Sequence, residues 1–320
     1  AGEPERQVVQ AVMDPFRIAR SWFTRPAERE AIEKQAQRVF APAWKKLGWA
    51  PAKDQVDDDE RRSLRADVLS FMALVAREPT VRKEAASRGR AYVGYGTDAA
   101  FHPDAADKDL LGVCLAAAAE DGDAAFFDHL LGALGRAPDD VVRNRVIGAL
   151  GSFRAADLAG RARALTFDAR IPAPELTSIL ENQLGAGETR DAAWQWLQTR
   201  VDDLAAKRPP ARRGSLPWLG TVFCDRAHAA ELGALFADRI QKIEGGPRNL
   251  AGALEAIHLC AARRSVQEPS FRKAFKLTKG KSSIVLGGKD GKVLFAGEGA
   301  LSEADRKKLV GLLKGQVEGA

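Results

Sequence analysis

The sequence contains few of the residues that most often build metal or nucleophilic centres. Its 320 residues include four histidines, which are His102, His129, His228 and His258. No two of them lie one helical turn apart, so a His-Glu-x-x-His zinc motif is excluded. No serine, cysteine or aspartate stands in a nucleophile motif. We therefore expect no catalytic residue and no metal ligand in this chain.

The few histidines and cysteines have structural explanations. His129 lies beside an apolar stripe and His258 lies within one, which favours partly buried, hydrogen-bonded rings over ligands. Cys114 and Cys260 lie in predicted helices, and Cys224 lies just before one. Three cysteines cannot all pair, and we expect buried free thiols, which leaves the compartment open.

Long apolar runs and blocks of like charge are also missing. No segment approaches the length of a membrane span, and no signal peptide is visible. The first residue is alanine, which is consistent with a start inside a longer precursor. Lysine and arginine (49) nearly balance aspartate and glutamate (43), whereas nucleic-acid-binding proteins concentrate a basic excess on one face. We expect a soluble protein with no nucleic-acid or membrane partner.

Apolar residues recur at helical spacing through the first 275 residues, with short breakers between the segments. The breakers are too short to carry the chain elsewhere, so consecutive helices are predicted to pack antiparallel in order. The stripes are Val8, Val12 and Phe16; Ile32, Ala36, Val39, Phe40, Ala43 and Leu47; Leu64, Val68, Phe71, Met72 and Val75; 110–119; 126–134; Val142, Val146, Ala149, Leu150 and Phe153; Leu176, Ile179, Leu180 and Leu184; Trp194, Leu197, Val201 and Leu204; Leu232, Leu235, Phe236, Ile240 and Ile243; Leu250, Leu254, Ile257 and Ala261.

Helix pairs near forty residues long are typical of HEAT-like solenoids. We predict an all-α fold for residues 1–275, an irregular HEAT-like array of helix pairs. Residues 276–320 differ, because 283–286 and 292–295 have strand patterns around a glycine-rich turn. A short helix is predicted over 301–313, and the whole tail is a β-hairpin plus helix of unknown role.

One loop concentrates positive charge. Lys207, Arg208, Arg212 and Arg213 fall within seven residues. The segment has two interpretations. In the first, it contacts an acidic partner or the carboxylate of a peptide. In the second, which is favoured, it is a solvated connection between helices. Trp196 lies off the main stripe of its helix, so it is the tryptophan expected to face a cavity or partner. These five side chains are the candidate substrate or partner contacts.

Two landmarks carry a family resemblance. The first is Leu47-Gly48-Trp49 at a helix end. The second is the segment 143–153, Arg-x-x-x-Ile-Gly-Ala-Leu-Gly-Ser-Phe, followed by 193–197, Ala-Trp-Gln-Trp-Leu. In this order and at this separation, they resemble the C-terminal helical domain of the puromycin-sensitive and alanyl-type zinc aminopeptidases.

The resemblance implies a bowl of HEAT-like helix pairs that caps the active-site chamber of a catalytic domain and limits which peptides enter. It implies two partners, that catalytic domain (in the same or a separate chain) and peptide substrates, with zinc held only by the catalytic domain. The family's His-Glu-x-x-His and Gly-x-Met-Glu-Asn motifs are absent, so no catalytic residue is carried over. The alternative is a stand-alone helical-repeat scaffold that binds a protein or peptide.

Overall fold

The computed structural model describes residues 6–22, 26–51, 57–267, 283–287, 293–298, 302–305, 307 and 308. Up to residue 267 the described residues form α-helices joined by connections, the longest of which runs over 93–110. The helices are α1 Arg6–Trp22, α2 Pro26–Leu47, α3 Asp59–Ser70, α4 Pro79–Tyr92, α5 Leu111–Glu120, α6 Ala124–Leu134, α7 Asp140–Leu150, α8 Ala156–Ala164, α9 Ser178–Gly185, α10 Arg190–Lys207, α11 Pro210–Arg213, α12 Arg226–Phe236 and α13 Gly246–Gln267. A π-helical segment, Phe71–Val75, continues α3, and 3-10 segments are Pro103–Ala105, Leu165–Phe167, Ala173–Glu175 and Leu216–Val222.

Aspartate side chains begin four of these helices. Asp58, Asp123, Asp139 and Asp225 each accept a hydrogen bond from a backbone N–H in the first turn of α3, α6, α7 and α12. Such caps satisfy donors that the helix itself leaves unpaired. Gly48 follows the end of α2 with a φ of 61°, a conformation that glycine adopts without strain. The predicted helix end at this glycine is confirmed.

Large apolar side chains from successive helices form one continuous core. The Phe40 and Phe71 ring centroids are 4.7 Å apart and join α2 to the π-helical segment. The Phe127 and Phe153 centroids are 5.1 Å apart and join α6 to the end of α7. Edge and tilted contacts of this kind stabilise a core beyond the area they bury. The all-α prediction is confirmed for the described residues up to 267.

Three helices are absent from the prediction. The four-residue α11 lies in a segment predicted as a breaker, and α4 and α8 have mostly small residues on their buried faces. Helix α4 packs against α5 through Ala85 and Gly89, and a Cβ at Gly89 would meet the Cys114 carbonyl group. Helix α8 buries Leu158 and Ala162. Small side chains let helix axes approach closely, but they leave no stripe of large apolar residues in the sequence.

The predicted core face of α1 is wrong by one residue. Val9 and Met13 are buried, whereas Val8 is 55% and Val12 is 43% exposed. Both sets have helical spacing, and Phe16 extends either one. The ring of Phe16 lies 6.0 Å from that of Phe40, so the contact with α2 decides which face is buried.

The prediction of free thiols is wrong for two of the three cysteines. Cys224 and Cys260 form a disulfide with a Cα–Cα distance of 5.0 Å, which fastens α13 to the segment before α12. The two lie 36 residues apart, so only tertiary packing brings them together. Cys114 is free and buried as predicted. Burial raises the pKa of its thiol to about 12, so the thiol is protonated at neutral pH.

Beyond residue 267 the structure describes two short antiparallel strands, β1 Ser283–Gly287 and β2 Val293–Glu298. Leu286 pairs with Phe295, and the pairing becomes irregular at the next residue of β1. Strand β2 ends at Glu298, three residues after the predicted strand end at residue 295. Most of the intervening turn lies outside the described residues.

Two other predictions for the tail fall largely on residues that the structure does not describe. The boundary at residue 275 lies in the gap between 267 and 283, and most of the helix predicted over 301–313 is also outside the described ranges. In the described segment 302–305, the Asp305 N–H donates to Ser302 Oγ at 3.1 Å, which is the geometry of an N-cap.

Candidate functional site

A cavity of about 330 Å³ lies where the end of α1, the π-helical segment, the end of α5 and the α9–α10 connection meet. Six arginine side chains line it, and they come from separate parts of the chain. We call this feature the arginine cavity. Its arginines are Arg17, Arg20, Arg29, Arg77, Arg154 and Arg190.

The first two helices and the α9–α10 connection close one wall of the arginine cavity. Arg29 Nη1 donates to Glu188 Oε1 at 3.0 Å, and Arg190 Nη1 donates to the Ser21 backbone oxygen at 3.4 Å. A Cβ at Gly187 would meet the Arg29 guanidinium, so a larger residue there would displace the end of that side chain. Burial raises the pKa of Glu188, but a backbone hydrogen bond and nearby arginines together lower it by more than burial raises it. The pKa is therefore below its usual value, and this carboxylate is charged at neutral pH.

A buried carboxylate, Glu120, holds two of the cavity arginines in place. Its side chain is 6% exposed. Arg154 Nη2 lies 2.7 Å from Oε1, and Arg77 Nη1 and Arg82 Nη1 each lie 2.8 Å from Oε2. Burial raises the pKa of Glu120, but these three arginines together hold it below its usual value. Glu120 is therefore charged at neutral pH and orients Arg77 and Arg154.

Two of the arginines retain capacity to donate hydrogen bonds. Arg190 donates to the backbone oxygens of Leu184 at 2.9 Å and Gly185 at 3.4 Å, and no described carboxylate is hydrogen-bonded to it. Burial lowers the pKa of its guanidinium group. Arg154 Nη1 is buried and has no hydrogen-bond partner within the described part of the chain. Arg154 has a buried donor that is costly to leave unpaired, and Arg190 carries a charge with no carboxylate hydrogen-bonded to it among the described residues, so these two positions suit an anionic ligand.

Three further cavities join the arginine cavity. One of about 420 Å³ shares Gly185 and Arg190 with it and adds Leu259. Another of about 260 Å³ shares Val222 with that cavity and adds Trp218. A fourth of about 420 Å³ shares lining residues of the π-helical segment, α5 and α9 with the arginine cavity. We call the four together the groove. Guanidinium groups line its first cavity, and apolar side chains such as Leu259 and Trp218 line the second and third.

Two of the predicted contact residues, Trp196 and Lys207, pack on Phe167 and do not line the groove. The Trp196 and Phe167 rings stack with centroids 5.6 Å apart. Lys207 Nζ donates to the Phe167 backbone oxygen at 2.9 Å and lies 5.3 Å from the ring centroid. A cation above an aromatic face is attracted by the ring quadrupole. We call this group the Phe167 cluster.

The other three predicted cations belong to the segment 207–213, which contains the short helix α11 rather than an irregular loop. Arg208 is half-buried and lines the groove, and burial lowers its pKa. Arg213 Nε donates to the Arg208 backbone oxygen at 3.1 Å. Arg212 is exposed. Within the described residues, Arg208 is thus the predicted cation that the fold brings to the groove.

The arginines that line the cavity were not predictable as a group. They span residues 17–190, and each has an ordinary helical neighbourhood in the sequence. The one local signal is the segment 185–187, Gly-Ala-Gly, which in the sequence predicts only a break between two helices. In the structure its second glycine marks the close approach to α2. Tertiary packing, rather than local pattern, assembles the site.

The histidine predictions are half right. His129 is half-buried, and its Nε2 lies 2.7 Å from the Val93 backbone oxygen, as predicted for a hydrogen-bonded structural ring. The prediction for His258 is wrong, because its side chain is exposed. The core face of α13 runs through Leu250, Ala253 and Ile257, which turns the next residue toward solvent.

Among the described residues, no three or more His, Cys, Asp or Glu side chains come together as a group that could hold a metal ion. Across the same residues, no helix is both long and apolar enough to cross a bilayer.

Comparison with known proteins places the chain in a family. A family model described as the ERAP1-like C-terminal domain matches residues 1–259. The matched range includes every arginine of the arginine cavity and ends within α13. No curated protein matches the chain.

Proposed function

Because the chain belongs to the family of ERAP1-like C-terminal domains, we propose that it acts as the non-catalytic C-terminal part of a zinc aminopeptidase. In this role it caps the chamber that holds the active site and limits which peptides reach it. The observation that carries the proposal is the groove, in which cavities lined by charged and by apolar side chains adjoin. The partner is an aminopeptidase catalytic domain, in the same or a separate chain, and the zinc belongs to that domain.

Shape is the first property that supports this role. The hydrogen bonds from Arg29 to Glu188 and from Arg190 to Ser21 fasten the first helices to the α9–α10 connection. A groove bounded in this way offers a limited volume to the part of a peptide that extends away from the catalytic centre. We infer that the helix pairs form a HEAT-like solenoid around this space, with the β-hairpin and residues 276–320 as a separate appendage.

Electrostatics is the second property. The arginine cavity attracts acidic groups on a peptide and repels basic ones. The second and third cavities, with Leu259 and Trp218 exposed by 64% and 44%, accept apolar side chains. The groove therefore favours peptides whose distal part is acidic or apolar over peptides whose distal part is basic.

The predicted contact residues outside the groove have a place in the same proposal. Lys207 presents positive charge next to the rings of Phe167 and Trp196, and Arg212 and Arg213 follow a few residues later in the chain. We propose that they contact the catalytic domain or the entering peptide, and that Arg208 contacts the peptide inside the groove. Substituting Arg212 and Arg213 together by glutamine then weakens co-purification with the catalytic domain.

The experiment that tests the proposal compares the catalytic partner with and without this chain. The two are co-purified, and hydrolysis is measured for an aminoacyl reporter and for peptides of increasing length. We expect reporter hydrolysis to depend little on this chain, and discrimination by length and distal charge to require it. An unchanged length profile contradicts the proposal, as does stoichiometric tight binding of zinc by this chain alone.

A further inference from the structure

We propose that the arginine cavity binds a small, doubly charged oxyanion of the phosphate class. This goes beyond the proposed function, because it concerns a ligand that this chain holds with or without a catalytic partner. Three observations carry it, namely the charges around the cavity, the donors that are left over, and the size of the space.

The charges that face the cavity favour an anion. Six arginines and three glutamates line it, which is an excess of three positive charges. Two of the glutamates, Glu120 and Glu188, already form ion pairs with arginines that line the cavity. The third lining glutamate, Glu181, is exposed, so solvent screens its charge. A ligand inside the cavity therefore meets mainly guanidinium N–H groups.

Charges behind the lining limit how much anionic charge the site accepts. Arg17 pairs with Asp14, Arg20 with Glu33, and Arg77 with Asp121. Arg82, which pairs with Glu120, also lies behind the lining. With these four groups added to the residues that line the cavity, the whole cluster has seven arginines and six carboxylates, an excess of one positive charge. The carboxylates of Asp14 and Asp121 are 60% and 49% exposed, so solvent screens them. An excess between one and three matches a ligand with two negative charges.

The donors that are left over show where the oxygens bind. Arg154 Nη1 is buried without a partner, and Arg190 donates only to backbone oxygens among the described residues. A guanidinium group presents its N–H donors as a planar fork, which fits the oxygens of phosphate and sulfate. Glu120 fixes Arg154, so part of the site is organised before a ligand arrives.

The volume selects a compact ligand. At about 330 Å³ the arginine cavity lies near the lower end of the range for small-molecule sites, about 300–1,000 Å³. The Arg29–Glu188 ion pair and the Gly187 backbone bound one wall. A phosphate-sized anion therefore reaches several guanidinium groups at once.

The test is calorimetric titration of the whole chain with inorganic phosphate at neutral pH and low salt. We expect saturable one-to-one binding of phosphate and of sulfate, weaker binding of acetate, and loss of affinity as sodium chloride is added. No saturable binding of phosphate or sulfate overturns the proposal. Acetate that binds as tightly as phosphate also overturns it, since a single charge then suffices.

Variants locate the site. Arg190→Gln and Arg154→Gln are each expected to weaken phosphate binding by about ten-fold or more, the usual effect of losing a charged hydrogen bond. Arg161→Gln is the matched control, because Arg161 is exposed, pairs with Asp128 and does not line the cavity. Equal weakening by Arg161→Gln would assign the binding to general surface charge and refute the site.

Folding is checked by thermal unfolding of each variant. If Arg154→Gln fails to fold, Arg190→Gln and Arg190→Lys decide the question, because neither touches the Glu120 network. Arg190→Lys keeps the positive charge but lacks the planar set of N–H donors of a guanidinium group. We therefore expect it to bind phosphate more weakly than the unmodified chain and more tightly than Arg190→Gln. These measurements need no catalytic partner, so a failed peptide-length experiment leaves their outcome unaffected.

Discussion

Replacing Glu120 by glutamine gives a direct measure of what holds the arginine cavity together. The substitution keeps the shape of the side chain and removes its charge. In the folded protein this carboxylate is 6% exposed and lies within 2.8 Å of nitrogen atoms of Arg77, Arg82 and Arg154. Glu120→Gln leaves three guanidinium groups close together. Arg82 keeps the Asp121 carboxylate at 2.8 Å and Arg77 keeps it at 3.7 Å, whereas Arg154 keeps no carboxylate among the described residues.

The size of the effect follows from burial. Removing one partner of a buried ion pair costs about 3–5 kcal/mol, because the remaining charge stays desolvated without compensation. We expect a loss in that range in the free energy of unfolding at pH 7, measured by urea denaturation followed by circular dichroism. Glu84→Gln is the matched control. Glu84 pairs with Arg88 at the surface, where one such pair contributes about 0.5 kcal/mol.

The pH dependence has a definite sign. The pKa of Glu120 is lower in the folded than in the unfolded chain, so its contribution is fully present above the unfolded value, near 4.5, and is lost as pH falls through the folded value. The stability difference between the unmodified chain and Glu120→Gln should therefore shrink in acid. A loss below about 1 kcal/mol at pH 7, or a difference that does not change in acid, would refute the reasoning.

Other substitutions test separate parts of the fold by the same denaturation assay. Replacing Cys224 and Cys260 by serine should lower the free energy of unfolding by about 4 kcal/mol, the value that chain entropy gives for a loop of 36 residues. A loss near zero would mean that packing alone holds α13 in place. Gly187→Ala should cost no more than about 1 kcal/mol, because its Cβ displaces only the movable guanidinium of Arg29 from its pair with the partly exposed Glu188. Gly89→Ala, whose Cβ would meet the Cys114 backbone, should cost about 1–3 kcal/mol. Asp225→Ala should cost about 1 kcal/mol through loss of the α12 cap, and no loss would show that the cap is replaced by solvent.

The disulfide also bears on where the protein is found. Disulfides persist in oxidising compartments and are rare in the reducing cytosol. Because Cys224 and Cys260 are paired, we expect the chain to be oxidised when it is isolated from its native source under alkylating conditions. Mass spectrometry that finds both thiols alkylated would instead place the protein in a reducing environment.

Much of the fold could be predicted from the sequence, because large apolar residues at helical spacing mark most of the long helices. Phe71, Phe127 and Phe153 lie on predicted stripes and are buried. What could not be predicted depends on small residues or on distant contacts. Helix α4 packs through residues such as Ala85 and Gly89, which leave no large stripe, and α1 offers two apolar faces, of which only packing selects one.

The candidate site was less predictable than the fold. A cluster of cations in sequence, as in 207–213, does not mean a cluster in space, because Lys207 and Arg213 bond to nearby backbone oxygens. The arginines that do converge come from separate helices, and their convergence depends on contacts such as Arg29 with Glu188, 159 residues apart. The family resemblance was predictable because its landmarks are local, and the family match over residues 1–259 supports it.

The most direct test of the central claim is to find where a peptide lies on this chain. A peptide with a blocked amino terminus and a photoreactive phenylalanine analogue near its carboxyl end is cross-linked to the complex of the chain with its catalytic partner. The attached residues are then identified by mass spectrometry. We predict cross-links to the groove, at residues such as Leu74, Val222 and Trp218. Cross-links confined to surfaces away from the groove, such as the surroundings of Arg161, would contradict the account.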